Sequence, residues 1–272
     1  MKITKMHGLG NSQILVKDLE GNLEKKENLS YNEIARALCD QNYGIGSDQM
    51  LIINSSKKAD FQMRVFNRDG GEAEMCGNGI RCVAKYLHDR ELVGEKISIE
   101  TLAGIKELRI NSENEAKSID VNMGVGKIIE EEKKVNGFEG TFVSVGNPHF
   151  VIFTDEASED LARKKGPSLE KASEFQPKRT NVEFAKIVSE NCLEVYVWER
   201  GAGLTLACGT GACATAFASK SLGHTDSEVE VKLLGGSLEV TIDENSEIRM
   251  KGPAEYILEG KVFDVSKIHS NL

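Results

Sequence analysis

Cys76-Gly77-Asn78-Gly79 and Cys208-Gly209-Thr210-Gly211 stand 132 residues apart (76 to 208), and in both a cysteine immediately precedes a Gly-x-Gly turn that runs into a stretch of helical character. A side chain at a helix entrance sits in the field of backbone N–H groups that lack an intrahelical acceptor, which favours a thiolate over a thiol. The same N–H groups can hold a carboxylate. One Cys-Gly-x-Gly alone reads as a packed thiol beside a helix start. Two of them, one in each half, read as a device for setting two thiols around one small acidic substrate and moving a proton from one face of a carbon to the other.

The likeness of the halves extends at the same displacement. Phe66-Asn67-Arg68 falls on Trp198-Glu199-Arg200, and Gln49 falls on Asn181. This pattern predicts an internal duplication with two similar domains facing one cleft. Strand-like alternation marks Phe61, Met63 and Val65, then Leu193, Val195 and Val197, and also 96–100, 228–232 and 237–241. Ser30 and Glu33 form a capping-box pattern that opens a helix reaching about Asp40. Ile80, Val83, Ala84 and Leu87 predict a second helix from about Asn78 to Glu91. Gly211 to Ser219 holds almost only small or apolar residues, so that helix has no solvent face and is expected to be buried all round.

The expected fold is therefore α/β, of the α+β type. It has two pseudo-symmetric domains, each a mostly antiparallel sheet wrapped around a central helix, with the active site in the cleft between them. The polar stretch from Asn111 to Ser118 ends the first half, giving domains 1–118 and 119–260, with the tail 261–272 packing back on the first. The charged run from Glu130 to Lys134 reads as a solvated loop or turn.

Composition agrees with a soluble enzyme. The 272 residues suffice for two domains of ordinary size, with 40% hydrophobic and 28% charged residues. A net charge of −9 argues against a nucleic-acid partner. The N-terminus, Met1-Lys2-Ile3-Thr4-Lys5-Met6-His7, lacks the apolar run of a signal peptide, and no segment approaches a membrane span; a cytoplasmic location is expected. Six cysteines are too sparse for a disulfide scaffold, and their spacings match no zinc pattern, so no metal is expected. Cys39, Cys82, Cys192 and Cys213 read as buried small hydrophobes.

Eight segments in order along nearly the whole chain carry a family resemblance. They are His7-Gly8-Leu9-Gly10-Asn11, Gly44-Ile45-Gly46-Ser47-Asp48-Gln49, Phe66-Asn67-Arg68-Asp69-Gly70, Met75 to Cys82, Gly146-Asn147-Pro148-His149, Arg179-Thr180-Asn181, Trp198-Glu199-Arg200-Gly201 and Cys208 to Ala212. Together they resemble diaminopimelate epimerase. The resemblance implies an isomerase of lysine and peptidoglycan-precursor biosynthesis that interconverts LL- and meso-2,6-diaminopimelate without a cofactor, commonly as a homodimer. By motif position Cys76 and Cys208 take the catalytic roles, and His149 and Glu199 assist at the catalytic centre. Asn11, Gln49, Asn67, Asn147, Asn181, Glu199 and Arg200 match substrate-binding positions, while Gly77-Asn78 and Gly209-Thr210 match the turns that hold the reacting end. Asn11 is followed by Ser12-Gln13, where many members carry an acidic or aromatic residue, so packing beside Asn11 differs from theirs.

The residues support this chemistry independently. Epimerisation at an amino-acid α-carbon needs a base on one face and an acid on the other, and one thiolate with one thiol suffices. A free thiol has a pKa of about 8.5, and a helix entrance lowers it. Two helix N-termini aimed at the α-carboxylate would supply positive potential where carbanion charge accumulates. Taken singly, Asn67, Asn147 and Asn181 read as turn or capping residues, His149 as a structural histidine and Arg200 as a surface ion pair. Proline racemases typically carry His after the first Cys-Gly, where this chain has Asn78. Other two-cysteine racemases, histidine racemase among them, act on substrates with no second amino-acid centre. A thiol redox pair or a binding module would have no use for the array of Asn residues and Arg200.

Overall fold

The computed structural model describes residues 1–111 and 118–272, which fold as two compact units. The first comprises Met1–Val121 with Pro253–Leu272, and the second Asn122–Gly252.

In the first unit the strands Lys2–Gly8 and Asn11–Lys17 form an antiparallel hairpin, and Gln49–Ser55 joins the second of them in parallel. Phe61–Asn67 follows antiparallel, Lys96–Thr101 lies parallel to it, and Gly104–Asn111 closes antiparallel. Each parallel step demands a crossover, and a helix supplies it both times. Tyr31–Cys39 lies on the outer face, where Ile34 and Leu38 pack with Ile14, Met50, Ile52 and Phe66. Gly77–His88 runs on the inner face and packs against the sheet that curves around it. Ser30 caps the outer helix: its hydroxyl accepts from the Glu33 N–H at 3.3 Å while the Glu33 carboxylate accepts from the Ser30 N–H at 2.8 Å.

The second unit repeats the plan. Phe138–Ser144 and Pro148–Phe153 pair antiparallel, Asn181–Ser189 is parallel to the latter, Cys192–Glu199 antiparallel, Glu228–Leu233 parallel, and Gly236–Ile242 antiparallel. The outer crossover is Glu159–Glu170 and the inner one Gly209–Ser221. Every residue from Gly211 to Ser219 is buried, as a helix without a polar face requires. From strand 49–55 to strand 104–111 the displacement of 132 maps each strand and the inner helix of the first unit onto its counterpart.

The edge strands show how the duplication is threaded. Lys127–Val135 pairs antiparallel with Phe138–Ser144 in the second unit. The same place in the first unit, beside Lys2–Gly8, is taken by Glu255–Lys261, near the end of the chain. The main-chain oxygen of Met1 accepts from the Val262 N–H at 2.8 Å, and Val265 is fully buried in the first unit's core. A boundary at residue 260 would assign that strand to the second half, whereas its pairing puts it in the first unit.

Three further differences from the sequence reading have physical causes. The run from Glu130 to Lys134 is strand, not a solvated loop: an edge strand keeps charged side chains in water and needs only its partner's backbone. The helix after Cys76 ends at His88, three residues early, with Asp89 as its cap. Cys192 is half-buried at a strand start rather than buried; Cys39, Cys82 and Cys213 lie within the core. The expected boundary stretch, Asn111 to Ser118, falls largely on 112–117, outside the described residues. Among the described residues no helix is long and apolar enough to cross a membrane.

Candidate active site

In the first unit the resembling motifs meet at one edge of the sheet. Asn11 and Gln49 open two parallel neighbours, and Asn67 ends the strand antiparallel to them, so the pleat brings all three to the same side. Gln49 Nε2 donates to Asn67 Oδ1 at 2.9 Å. Cys76 is the N-cap of the inner helix, with extended backbone, and its Sγ accepts from the Gly79 N–H at 3.3 Å. Cys76 Sγ lies 3.8 Å from Asn11 Oδ1, and Gln13 Nε2 reaches the sulfur at 3.9 Å. Gln13 also donates to Asn11 Oδ1. Gly77 and Asn78 form the buried first turn, and Asn78 Oδ1 accepts from Arg81 Nη2 at 2.9 Å.

The second unit gathers the counterpart set. Cys208 caps its helix as Cys76 does, its Sγ accepting from the Gly211 N–H at 3.4 Å and lying 3.6 Å from Thr210 Oγ1. Gly209 and Thr210 open that helix. Asn147 Nδ2 donates to Thr210 Oγ1 at 3.3 Å, and Asn147 Oδ1 faces His149 Nε2 at 2.9 Å. Asn181 Oδ1 accepts from the Arg200 N–H at 2.8 Å, and its amide nitrogen donates to the Pro148 carbonyl at 3.1 Å. Glu199 Oε1 accepts from Thr205 Oγ1 at 2.5 Å. The Arg200 guanidinium is exposed and donates to the Lys178 carbonyl at 2.7 Å.

The surroundings of Cys208 act against its helix entrance. Burial pushes its thiol well above the ordinary thiol range, and the Glu199 carboxylate pushes the same way; the contacts from Thr210 and the Gly211 N–H oppose this without overcoming it. Desolvation of a sulfur anion outweighs a helix entrance here. These surroundings favour the thiol form of Cys208.

Three residues to which the sequence assigned no role, one of them inside the segment Met75 to Cys82, hold the site in shape. Arg81, fully buried, clasps the first helix entrance through Gly77 and Asn78. Glu170 accepts from Trp198 Nε1 at 2.9 Å, the Gly201 N–H at 3.1 Å and Arg179 Nη1 at 3.0 Å, fixing the turn that carries Arg200. Glu183 lies beneath His149, Nδ1 to Oε1 2.7 Å, with both side chains fully buried. A Glu within a strand reads from sequence as a solvent-facing residue. Asn181–Ala185, however, is covered on both faces, and the alternation that would betray its inward positions is lost.

Among solved structures, a Bacillus anthracis phenazine biosynthesis protein of the PhzF family matches with a TM-score of 0.74 at 18% identity, covering 97% of this chain and 99% of its own. A hydroxyproline epimerase from Agrobacterium vitis matches with a TM-score of 0.73 at 13% identity, covering 99% and 94%. At such identities the likeness speaks to fold: the two-domain epimerase and PhzF-type architecture. Sequence goes further, because the diaminopimelate epimerase family profile matches residues 3–129 and 141–257. Proteins named diaminopimelate epimerase from Methanococcus maripaludis and Carboxydothermus hydrogenoformans are each 43% identical, over 281 and 277 residues, spanning 96% and 97% of this chain and 99% and 100% of their own. The chain belongs to the diaminopimelate epimerase family, and is an isomerase of the racemase and epimerase kind.

Proposed function

We propose that the protein interconverts LL- and meso-2,6-diaminopimelate by a two-thiol, cofactor-independent proton exchange, in the cytoplasm and as a homodimer. The observation that carries the reading is the repeated helix entrance: each unit places one cysteine sulfur against the third helical N–H of its own inner helix. In one direction Cys76, as thiolate, takes the α-proton and becomes a thiol, leaving a carbanion whose charge spreads into the α-carboxylate. Cys208, held as a thiol, delivers its proton to the opposite face and becomes the thiolate. The reverse reaction starts from that second state. The helix N-termini at Gly77-Asn78 and Gly209-Thr210 offer N–H groups to the carboxylate as charge builds there, which is where preorganised donors lower a barrier most. Asn11, Gln49, Asn67, Asn147, Asn181 and Arg200 are assigned to the remaining polar groups of the substrate, and His149 and Glu199 to support of the catalytic centre.

Incubation with LL-diaminopimelate in deuterated water, without added pyridoxal phosphate or metal, tests the assignment. Meso product carrying α-deuterium is expected; absence of exchange, or faster racemisation of histidine or proline, rejects it.

Arg200 tests the distal recognition. Its planar donor fork suits a carboxylate, so Arg200→Ala is expected to lower kcat/KM for diaminopimelate at least about tenfold, or about 1.4 kcal/mol. Arg200→Lys should recover only part, because a point charge does not reproduce the fork. Unchanged steady-state kinetics in the alanine variant would remove Arg200 from substrate binding.

A further inference from the structure

Glu183 is a carboxyl group at a core position. It sits mid-strand beside Val151 on one side and Val197 on the other, and its side chain is fully buried. Burying a carboxyl without full pairing is costly, and a hydrophobic residue of similar volume would serve packing at least as well. One oxygen meets His149 Nδ1 at 2.7 Å; the other, Oε2, has no hydrogen-bond partner among the described residues. Even the neighbouring helix makes room, since a Cβ on Gly211 would stand 2.9 Å from Glu183 Oε1.

The contacts of the imidazole define where its protons go. Asn147 donates through Nδ2 to Thr210 Oγ1, so the oxygen of the same amide is the atom turned towards His149 Nε2. An acceptor there requires Nε2 to carry a hydrogen. On the other side Nδ1 and Glu183 Oε1 share one more proton: either the carboxyl donates to a neutral ring, or an imidazolium donates to a carboxylate. Burial pushes the Glu183 carboxyl above the ordinary range, which favours the first form. From Glu183 the contacts run through His149, Asn147 and Thr210 to the Cys208 sulfur, all within the second unit.

We propose that Glu183 is a positioning residue for the Cys208 half of the reaction: by holding the Nδ1 side of His149 it aims Nε2–H at Asn147 and so sets the Asn147–Thr210 arm against the thiol. This rests on the two-thiol reading above, but the Glu183–His149 link can be read without it. The role needs a hydrogen bond and not a charge. A glutamine can donate to Nδ1 as the protonated carboxyl does, whereas a leucine cannot.

The test compares Glu183→Gln and Glu183→Leu in the full-length protein. The leucine variant is expected to melt at or above the wild-type temperature while losing at least about tenfold in kcat/KM. The glutamine variant should stay within about threefold of wild type. In protein labelled with ¹⁵N-histidine, the His149 ring signals are assigned by their loss in His149→Asn from among five histidines. The Nδ1 resonance should show a hydrogen-bonded or protonated nitrogen in wild type and glutamine variant, and a bare one in the leucine variant. Full activity in Glu183→Leu, a glutamine variant down tenfold or more, or an Nδ1 resonance indifferent to Glu183→Leu would each overturn the proposal. If the leucine variant does not fold, the glutamine variant and its resonance still decide. A wild-type protein inactive on diaminopimelate would sink the functional reading instead, leaving the ring measurement to judge the link.

Discussion

Cys76→Ala and Cys208→Ala are each expected to cut epimerisation by roughly 10³-fold or more while leaving the fold intact, because each removes the proton carrier of one face and general acid–base catalysis is worth about 10²–10⁴-fold. The fold should survive because both sulfurs cap helices from the N-cap position, where each accepts one long contact from a backbone N–H. Serine keeps that acceptor but is a far weaker acid at neutral pH, so Cys76→Ser and Cys208→Ser should be structurally closest to wild type and still severely impaired. The two variants should also differ. With burial and the Glu199 carboxylate favouring the thiol form of Cys208, alkylation by iodoacetamide at neutral pH should be slow at Cys208 in the Cys76→Ser protein, and should speed up as pH is raised. Near-wild-type turnover by either alanine variant would refute the two-thiol mechanism; circular dichroism and a thermal melt establish that a loss is chemical.

The second large effect is on stability. Arg81 is fully buried, with Nη1 donating to the Gly77 carbonyl at 3.1 Å, Nη2 to Asn78 Oδ1 at 2.9 Å and Nε to the Pro253 carbonyl at 3.1 Å. It therefore ties the helix entrance beside Cys76 to the segment leading into the last strand, all within the first unit. Arg81→Met fills similar volume but leaves these acceptors without their donor. At about 1–3 kcal/mol for each buried group left unsatisfied, a loss of at least about 3 kcal/mol is expected, or roughly 10 °C in melting temperature. Activity should fall as well, since Gly77 and Asn78 lose the group that orients them. An unchanged melting curve would show that the clasp contributes nothing.

What could be read in advance divides along a physical line. The duplication, the two inner helices and the alternating strands were legible because their signals are local: a cysteine before Gly-x-Gly, an apolar period, a capping box at Ser30. The edge strand Lys127–Val135 was not, since Glu130 to Lys134 has no alternation and an edge strand is specified by its neighbour's backbone. The outer helix Glu159–Glu170 escapes for a related reason. It contains Gly166 and Pro167, which read as breakers, yet Gly166 is there because the Trp198 ring lies against it, and a Cβ would come within 2.4 Å of that side chain. In the candidate site, the two cysteines could be named from their repeated spacing, and the other residues on strand ends and helix entrances from the family resemblance. Arg81 stood inside a quoted segment without a role, and Glu170 and Glu183 lay outside every segment, because partners across the fold leave no mark on a residue's neighbours in sequence.

The placement of Glu255–Lys261 beside Lys2–Gly8 has a consequence for the way the protein is made. A ribosome delivers residues 1–121 first, but the sheet they form ends in an unpaired hairpin edge until Glu255–Lys261 emerges. The second unit, whose strands lie between 127 and 253 with no partner beyond 253 in the pairings described, is delivered before Glu255–Lys261. The half that is synthesised later is thus the half that can close earlier, and the nascent N-terminal half waits with an open edge for a strand made after its twin is complete.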